Sequence, residues 1–204
     1  IALNLNEFGF WQSATFNQLK LRAAYGEAGN FAAFGSKYTS LTPVVIDGTP
    51  GNEINPAQGN DELGPERQKE IELGFDLGII NRVSMDFTYY KKTVENLLLA
   101  ARTPSSSGFT SQLTNAADLQ NTGFEIGLDA LVINKKDFTW NTRVSWWKNK
   151  GKVTRLDIPS FTTGGFADFI GMFRIKEGHS PTEIIGVGSN PDEDGYVVFG
   201  NSEP

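Results

Sequence analysis

The chain contains no cysteine, so neither a disulfide framework nor a thiolate metal site can be built from it. A cysteine-free chain is compatible with an oxidising envelope without demonstrating one. It has a single histidine, His179, which leaves a histidine-based metal site or a Ser-His-Asp triad short of partners. That lone side chain is expected to be solvated in a loop. Net positive charge is also missing: 18 Lys plus Arg stand against 24 Asp plus Glu, giving −6. That sign opposes a nucleic-acid partner, since binding phosphates needs cations to displace their counterions. No stretch approaches the ~18 apolar residues that read as a membrane helix, and no phosphate-cradling glycine loop of the required spacing occurs.

What the sequence does have is glycine (22 residues) and aromatics (Phe 15, Tyr 5, Trp 4), set in runs with a period of two. Ile71, Leu73, Phe75, Leu77 and Ile79 alternate with Glu70, Glu72, Gly74, Asp76 and Gly78. After Asn81-Arg82 the alternation resumes, with Val83, Met85, Phe87 and Tyr89 on one side, a hairpin pattern. Phe124, Ile126, Leu128, Ala130 and Val132 repeat it, and past Asn134-Lys135-Lys136-Asp137 come Phe138, Trp140, Thr142, Val144 and Trp146. Near the start, Leu19, Leu21, Ala23 and Tyr25 do the same, and Ile1, Leu3 and Leu5 suggest one more strand. No segment carries a helical period.

The runs last about ten to thirteen residues, against ~5–6 in soluble sheets and ~9–11 for a tilted membrane strand. Strands are expected over approximately 1–10, 18–26, 68–80, 83–93, 122–133 and 138–150. The connections alternate in length. Those near 12–18, 80–82 and 134–137 are short, whereas 27–67, 100–121 and 151–204 read as long loops. Outer-membrane barrels have short periplasmic turns and long extracellular loops, which orients 18–26, 83–93 and 138–150 outward. The fold class expected is all-β, an antiparallel transmembrane β-barrel segment with long extracellular loops. Running from Ile1 to Pro204 inside a Gly-Asn-Ser-Glu-Pro stretch, the sequence reads as part of a longer chain.

Four stretches carry a family resemblance. They are Leu19-Lys20-Leu21-Arg22-Ala23-Ala24-Tyr25-Gly26 continuing to Gly29-Asn30; Glu66 to Asp76 entering Gly74-Phe75-Asp76-Leu77-Gly78; Asn81-Arg82 through Tyr89-Tyr90-Lys91-Lys92-Thr93 to Asn96-Leu97-Leu98; and Asn121-Thr122-Gly123-Phe124-Glu125. In this order and spacing the set resembles the SusC/RagA family of TonB-linked outer-membrane transporters, in the carboxy-terminal half of the barrel region. The resemblance implies a barrel of about 22 strands that imports glycans or peptides. It also implies a SusD-like surface lipoprotein as lid, and TonB acting through a plug region absent from this chain. Outer-membrane lipid would surround the wall, and no cofactor is implied. The alternative from another class is a soluble β-sandwich module, glycan-binding or adhesive, which would explain the alternation but not the strand length. An enzyme is not expected, for want of a nucleophile–base pair.

Several side chains are candidates for function. On lumen parity Glu70, Glu72, Asp76, Asp86, Glu125 and Asp129 fit a solvated acidic wall better than a glycosidase carboxylate pair. Trp140, Trp146 and Tyr89 lie toward strand ends, where aromatic girdles form. Trp147 and Arg143 have lumen parity and are candidates to contact ligand, as are Phe31, Phe34 and Tyr38 in the long loop. Asn190, Asp192 and Asp194 before Gly195 copy the first half of a calcium loop, but the twelfth position, normally a bidentate Glu, is Asn201. A Gly-rich acidic turn is the better fit, and no metal site is expected there.

Overall fold

A computed structural model describes residues 1–8, 15–164, 171–186 and 197–198. The strands, in chain order, are β1 (Ala2–Asn4), β2 (Phe16–Asn30), β3 (Leu41–Ile46), β4 (Thr49–Ile54), β5 (Ala57–Gln58), β6 (Glu66–Ile79) and β7 (Val83–Arg102). They continue with β8 (Ser111–Lys135), β9 (Phe138–Leu156), β10 (Phe161–Thr163), β11 (Met172–Ile175), β12 (Ile184–Gly186) and β13 (Val197–Val198). The main sheet has the order β1-β2-β6-β7-β8, with β9 also on β8 and the short β5 running parallel to its first residues. The chain divides into two compact units. One comprises Ile1–Glu27, Lys69–Thr93 and Asn121–Lys150, the other Ala28–Gln68, Val94–Gln120 and Gly151–Pro204.

In the first unit the period of two becomes two chemically opposite faces. Successive side chains on a strand point to opposite sides, and ring contacts show which residues share a side. Phe75 stacks on Phe87 with centroids 5.4 Å apart, Phe87 on Phe124 at 6.4 Å, and Trp146 meets Phe124 edge-on at 5.0 Å. One aromatic ladder thus crosses β6, β7, β8 and β9, each contact contributing ~0.5–1.5 kcal/mol beyond burial. Leu73, Leu128, Trp140 and Val144, of the same parity, stay exposed.

The opposite face is polar and paired. Arg22 forms an ion pair with Asp76 at 2.9 Å and donates a hydrogen bond to the Thr88 hydroxyl at 3.2 Å. Gly127 sits against the Asp86 carboxylate and Gly123 under the Tyr90 ring. At Gly123 an added Cβ would fall 2.6 Å from the Lys148 carbonyl, so the close approach of β8 to β9 requires glycine.

The hairpin β6–β7 turns through Ile80 and Asn81, both with positive φ (47° and 50°), closed by the Arg82 N–H donating to the Ile79 carbonyl at 3.0 Å. Asn tolerates this region; a β-branched Ile does so at a cost.

The strands differ in length from the sequence expectation. Instead of a strand over 1–10, β1 stops at Asn4 and a single 3-10 turn, Leu5–Glu7, follows. The Asn6 amide explains this: its oxygen accepts the Leu19 N–H at 2.7 Å and its nitrogen donates to the Asn17 carbonyl. A side chain there takes over the ladder bonds a strand would make. The expected loop 100–121 is largely strand, since β7 reaches Arg102 and β8 begins at Ser111. Ala116 and Ala117, adjacent in β8 and so on opposite faces, are both buried there, at 2% and 1% exposure, so the pairing left no hydrophobic alternation to read. Within 27–67, β2 continues to Asn30 and a hairpin forms from β3 and β4. Its turn residues, Asp47 and Gly48, have φ of 49° and 78° between the paired Ile46 and Thr49, the type I′ geometry that matches strand twist. Within 151–204, β9 runs on to Leu156 and β10–β13 form a separate sheet.

The second unit holds the most deeply buried side chains. Val153, Ile185 and Glu183 are 0% exposed and Arg174 is 3% exposed. Arg174 donates through Nε to Glu183 Oε1 at 2.8 Å, and the other Glu183 oxygen lies 2.7 Å from Nδ1 of His179. A buried carboxylate must be paired to remain charged, and here the Arg174 guanidinium and a ring nitrogen of His179 converge on one. His179 lies in a turn, as expected, with its side chain 36% exposed, and its ring nitrogen contacts this buried pair.

Candidate functional site

The loop aromatics gather in the second unit. Leaving β2, the chain folds through Ser36 N–H to the Ala33 carbonyl (3.1 Å) and Tyr38 N–H to the Gly35 carbonyl (2.9 Å). Gly35 adopts φ 87°, which suits glycine and lets the tight turn project Phe34 fully into solvent. The facing wall, Leu63-Gly64-Pro65, is fixed by Asn115 on β8. The Asn115 oxygen accepts the Gly64 N–H at 2.8 Å and its amide donates to the Gly64 carbonyl at 3.1 Å. That reciprocal pair imitates a strand ladder. Between the walls lies an open depression of about 390 Å³ that includes Phe31, Phe34 and Tyr38. The three loop aromatics named from sequence thus line one surface.

Beside them in sequence, the β3–β4 hairpin leaves Leu41, Val45, Ile46 and Ile54 exposed. Its signal was legible in the chain: Asp47-Gly48 between apolar residues is a strong hairpin cue.

Arg143 and Trp147 belong to the first unit and lie on β9, on the polar face. Arg143 reaches Asp129 at 3.7 Å, an exposed pair of modest energy. It lines a depression of about 410 Å³ with Asn17, Arg82, Ser84 and Asp129 near the short turns. Trp147 stands outside those lining residues and is 69% exposed. Four residues separate it from Arg143, ~13 Å along a strand. The structure therefore does not join the two into one contact point.

A polar knot in the second unit was not anticipated. Asp118 accepts both Arg155 Nε and Nη2 at 2.9 Å and the Asn96 backbone N–H at 2.8 Å. Asn96 sits at φ 57° within β7, the mark of a bulge, and its side-chain oxygen accepts Arg155 at 3.1 Å. Asp157 adds a further contact to Arg155. Arg155's hydrogen bonds, opposed by desolvation, hold the Asp118 carboxyl below its ordinary value. In return the Asp118 hydrogen bonds raise the Arg155 guanidinium. Only Asn at position 96 hinted at it, through its tolerance of positive φ.

No cluster of metal-ligating side chains occurs among the described residues. Asn190, Asp192 and Asp194 of the calcium-loop pattern lie outside them.

A sheet with strands of 14 to 25 residues from β6 to β9, with one exposed aromatic-apolar face and one ion-paired face, defines a wall segment of a transmembrane β-barrel. A family model described as "TonB dependent receptor-like, beta-barrel" matches residues 6–194, and the chain belongs to that family. TonB-dependent receptor P3 of Formosa agariphila is 33% identical over 162 residues, 76% of this chain and 16% of that protein. Its TonB-dependent receptor P26 is 32% identical over 100% of this chain and 19% of its own length. TonB-dependent receptor SusC of Bacteroides thetaiotaomicron is 27% identical over 69% of this chain.

Among solved structures, one of the RagAB peptide transporter superposes with a TM-score of 0.74 at 21% identity, covering 97% of this chain and 24% of that one. The SusC/RagA resemblance and the barrel fold stand, the soluble sandwich falls, and the protein is placed in the outer membrane. The chain spans less than a fifth of the length of the curated relatives it matches.

Proposed function

We propose that the chain forms part of the wall and surface loops of a TonB-dependent importer that carries glycans or peptides across the outer membrane. The observation that carries this is the division of the first unit into an aromatic-laddered face for lipid and an ion-paired face for a wet lumen. The matched relatives named TonB-dependent receptors support energy coupling through TonB. The likeness to a peptide transporter's chain supports a polymeric nutrient as cargo.

In this function β2, β7 and β9 run outward and the short turns face the periplasm. The depression at Phe31, Phe34 and Tyr38, with the exposed apolar β3–β4 hairpin, meets a SusD-like lipoprotein lid or the ligand it delivers. Trp147 offers the lumen a ring on which a sugar or a peptide side chain can stack, and Arg143 a charge nearby. A family of receptors and transporters calls for binding chemistry, not catalysis.

The test uses the full-length protein in lipid nanodiscs, with a spin label placed in turn at Phe75 and Asp76. Oxygen should relax the label at 75 and a water-soluble relaxant the label at 76. Equal accessibility at both positions would refute the wall. For cargo, uptake of labelled oligosaccharide and oligopeptide is compared in cells with wild type and Phe34→Ala. A fall in one class names the substrate, and no change in either removes the loop aromatics from the function.

A further inference from the structure

The outward face carries a charge pattern that lipid tails do not explain. On the parity of the aromatic ladder, the first-unit parts of β6, β7, β8 and β9 hold four cations, Lys69, Lys91, Lys148 and Lys150, and no acid. All four lie at the end away from the short turns. Lys148 follows Trp146 by two residues, Lys91 follows Phe87 by four and Lys69 precedes Phe75 by six. The polar face of the same strands is rich in acids, among them Glu70, Asp76, Asp86, Glu125 and Asp129, so the segregation is not a matter of composition. On β2 the same face ends in Glu27, which is bonded to the Tyr25 hydroxyl.

The lysines are also close enough to act together. Gly123 on β8 lies against Tyr90 on one side and the Lys148 carbonyl on the other. Lys91 and the Lys148–Lys150 pair therefore flank the same part of β8, which carries the uncharged Thr122 on that face. With strands ~4.8 Å apart, their backbones are separated by ~10 Å, within the reach of two four-carbon stems. Lys91, Lys148 and Lys150 are exposed and Lys69 half-buried. Long stems can lie along the apolar face while the ammonium groups rise to the headgroup level.

We infer that this row binds the phosphate groups of an anionic lipid in the leaflet at the long-loop end. A zwitterionic headgroup would meet the ammonium groups of Lys91, Lys148 and Lys150 with no net charge of its own; a lipid bearing two phosphates complements them. The inference rests on the barrel wall lying in the outer membrane, and its failure is separable from failure of that placement.

The test takes the full-length receptor in neutral detergent, as wild type and as the triple variant Lys91→Gln, Lys148→Gln, Lys150→Gln. Each is titrated with a bisphosphorylated glycolipid and with phosphatidylcholine, and bound lipid is counted by native mass spectrometry. With about 1 kcal/mol per surface cation, the triple variant should lose tenfold or more in affinity for the phosphorylated lipid and nothing for phosphatidylcholine. The corresponding Arg triple variant should retain binding. Heat-modifiable migration checks folding; if the Gln triple fails to fold, Lys148→Gln alone is used, with a loss of about fivefold expected. Equal binding by wild type and the folded Gln variant, or no wild-type preference for the phosphorylated lipid, overturns the inference. Failure of the wild type to enter phosphatidylcholine nanodiscs would instead overturn the barrel.

Discussion

Asp118→Asn is the substitution with the most informative expected cost. The wild-type carboxylate accepts three hydrogen bonds, two from Arg155 and one from the Asn96 N–H. An asparagine of the same shape offers one oxygen and an NH₂ group that clashes electrostatically with a donor. Hydrogen bonds to charged groups contribute ~1.5–3 kcal/mol when buried. Asp118 and Arg155 are 24% and 34% exposed, so water recovers part of the loss, and ~1–2 kcal/mol of local stability should disappear. At 1.4 kcal/mol per tenfold, amides that open locally should exchange ~5–30-fold faster.

The assay is hydrogen–deuterium exchange of the full-length protein in detergent, reading the Asn96 N–H and the Asp157 N–H, which donates to the Ala116 carbonyl at 2.8 Å. Amides of the first unit serve as control. The acid dependence adds a second readout. Because the folded carboxyl is depressed by Arg155, its contribution is complete above the unfolded value of ~4. That contribution is lost as pH falls through the lower folded value. Wild-type protection should decline in that window and the Asn variant should stay flat. A change below twofold at these two amides, or an equal change throughout the protein, would refute the knot as a local clamp.

Three further outcomes follow from particular contacts. Gly123→Ala should destabilise by ~1–3 kcal/mol in urea titration, because its Cβ would meet the Lys148 carbonyl at 2.6 Å; a neutral result would show that β8 and β9 can part there. Ile80→Gly should stabilise by up to ~1 kcal/mol by relieving a left-handed β-branched residue, and a lower urea midpoint would contradict the turn geometry. Leu128→Arg, on the ladder face and halfway along 122–133, should cost ~2–4 kcal/mol in bilayer-based unfolding, while Glu125→Arg, on the opposite parity, should cost far less. Equal costs would mean that the faces are misassigned.

How far the chain could be read in advance depended on whether a segment carried a hydrophobic alternation. Ile71–Ile79, Val83–Tyr89, Phe124–Val132 and Phe138–Trp146 announced both their strands and their faces, since a sheet between lipid and water forces a period of two. Residues 111–121 carried no such signal: the adjacent Ala116 and Ala117 are both buried, and β8 is held there through Asn115 and Asp118, which obey no apolar period. The Asp47-Gly48 hairpin was legible but hidden by the length of the surrounding loop.

The sequence alone determined the strand period and the family resemblance, because each rests on local pattern and spacing. Tertiary structure decided which parities on neighbouring strands share a face, through the Phe75–Phe87–Phe124–Trp146 ladder. It also decided that Phe31, Phe34 and Tyr38 line one depression, and that Asp118 waits for an arginine 37 residues away. Such encounters depend on strand register and loop closure, which set distances that no residue encodes by itself.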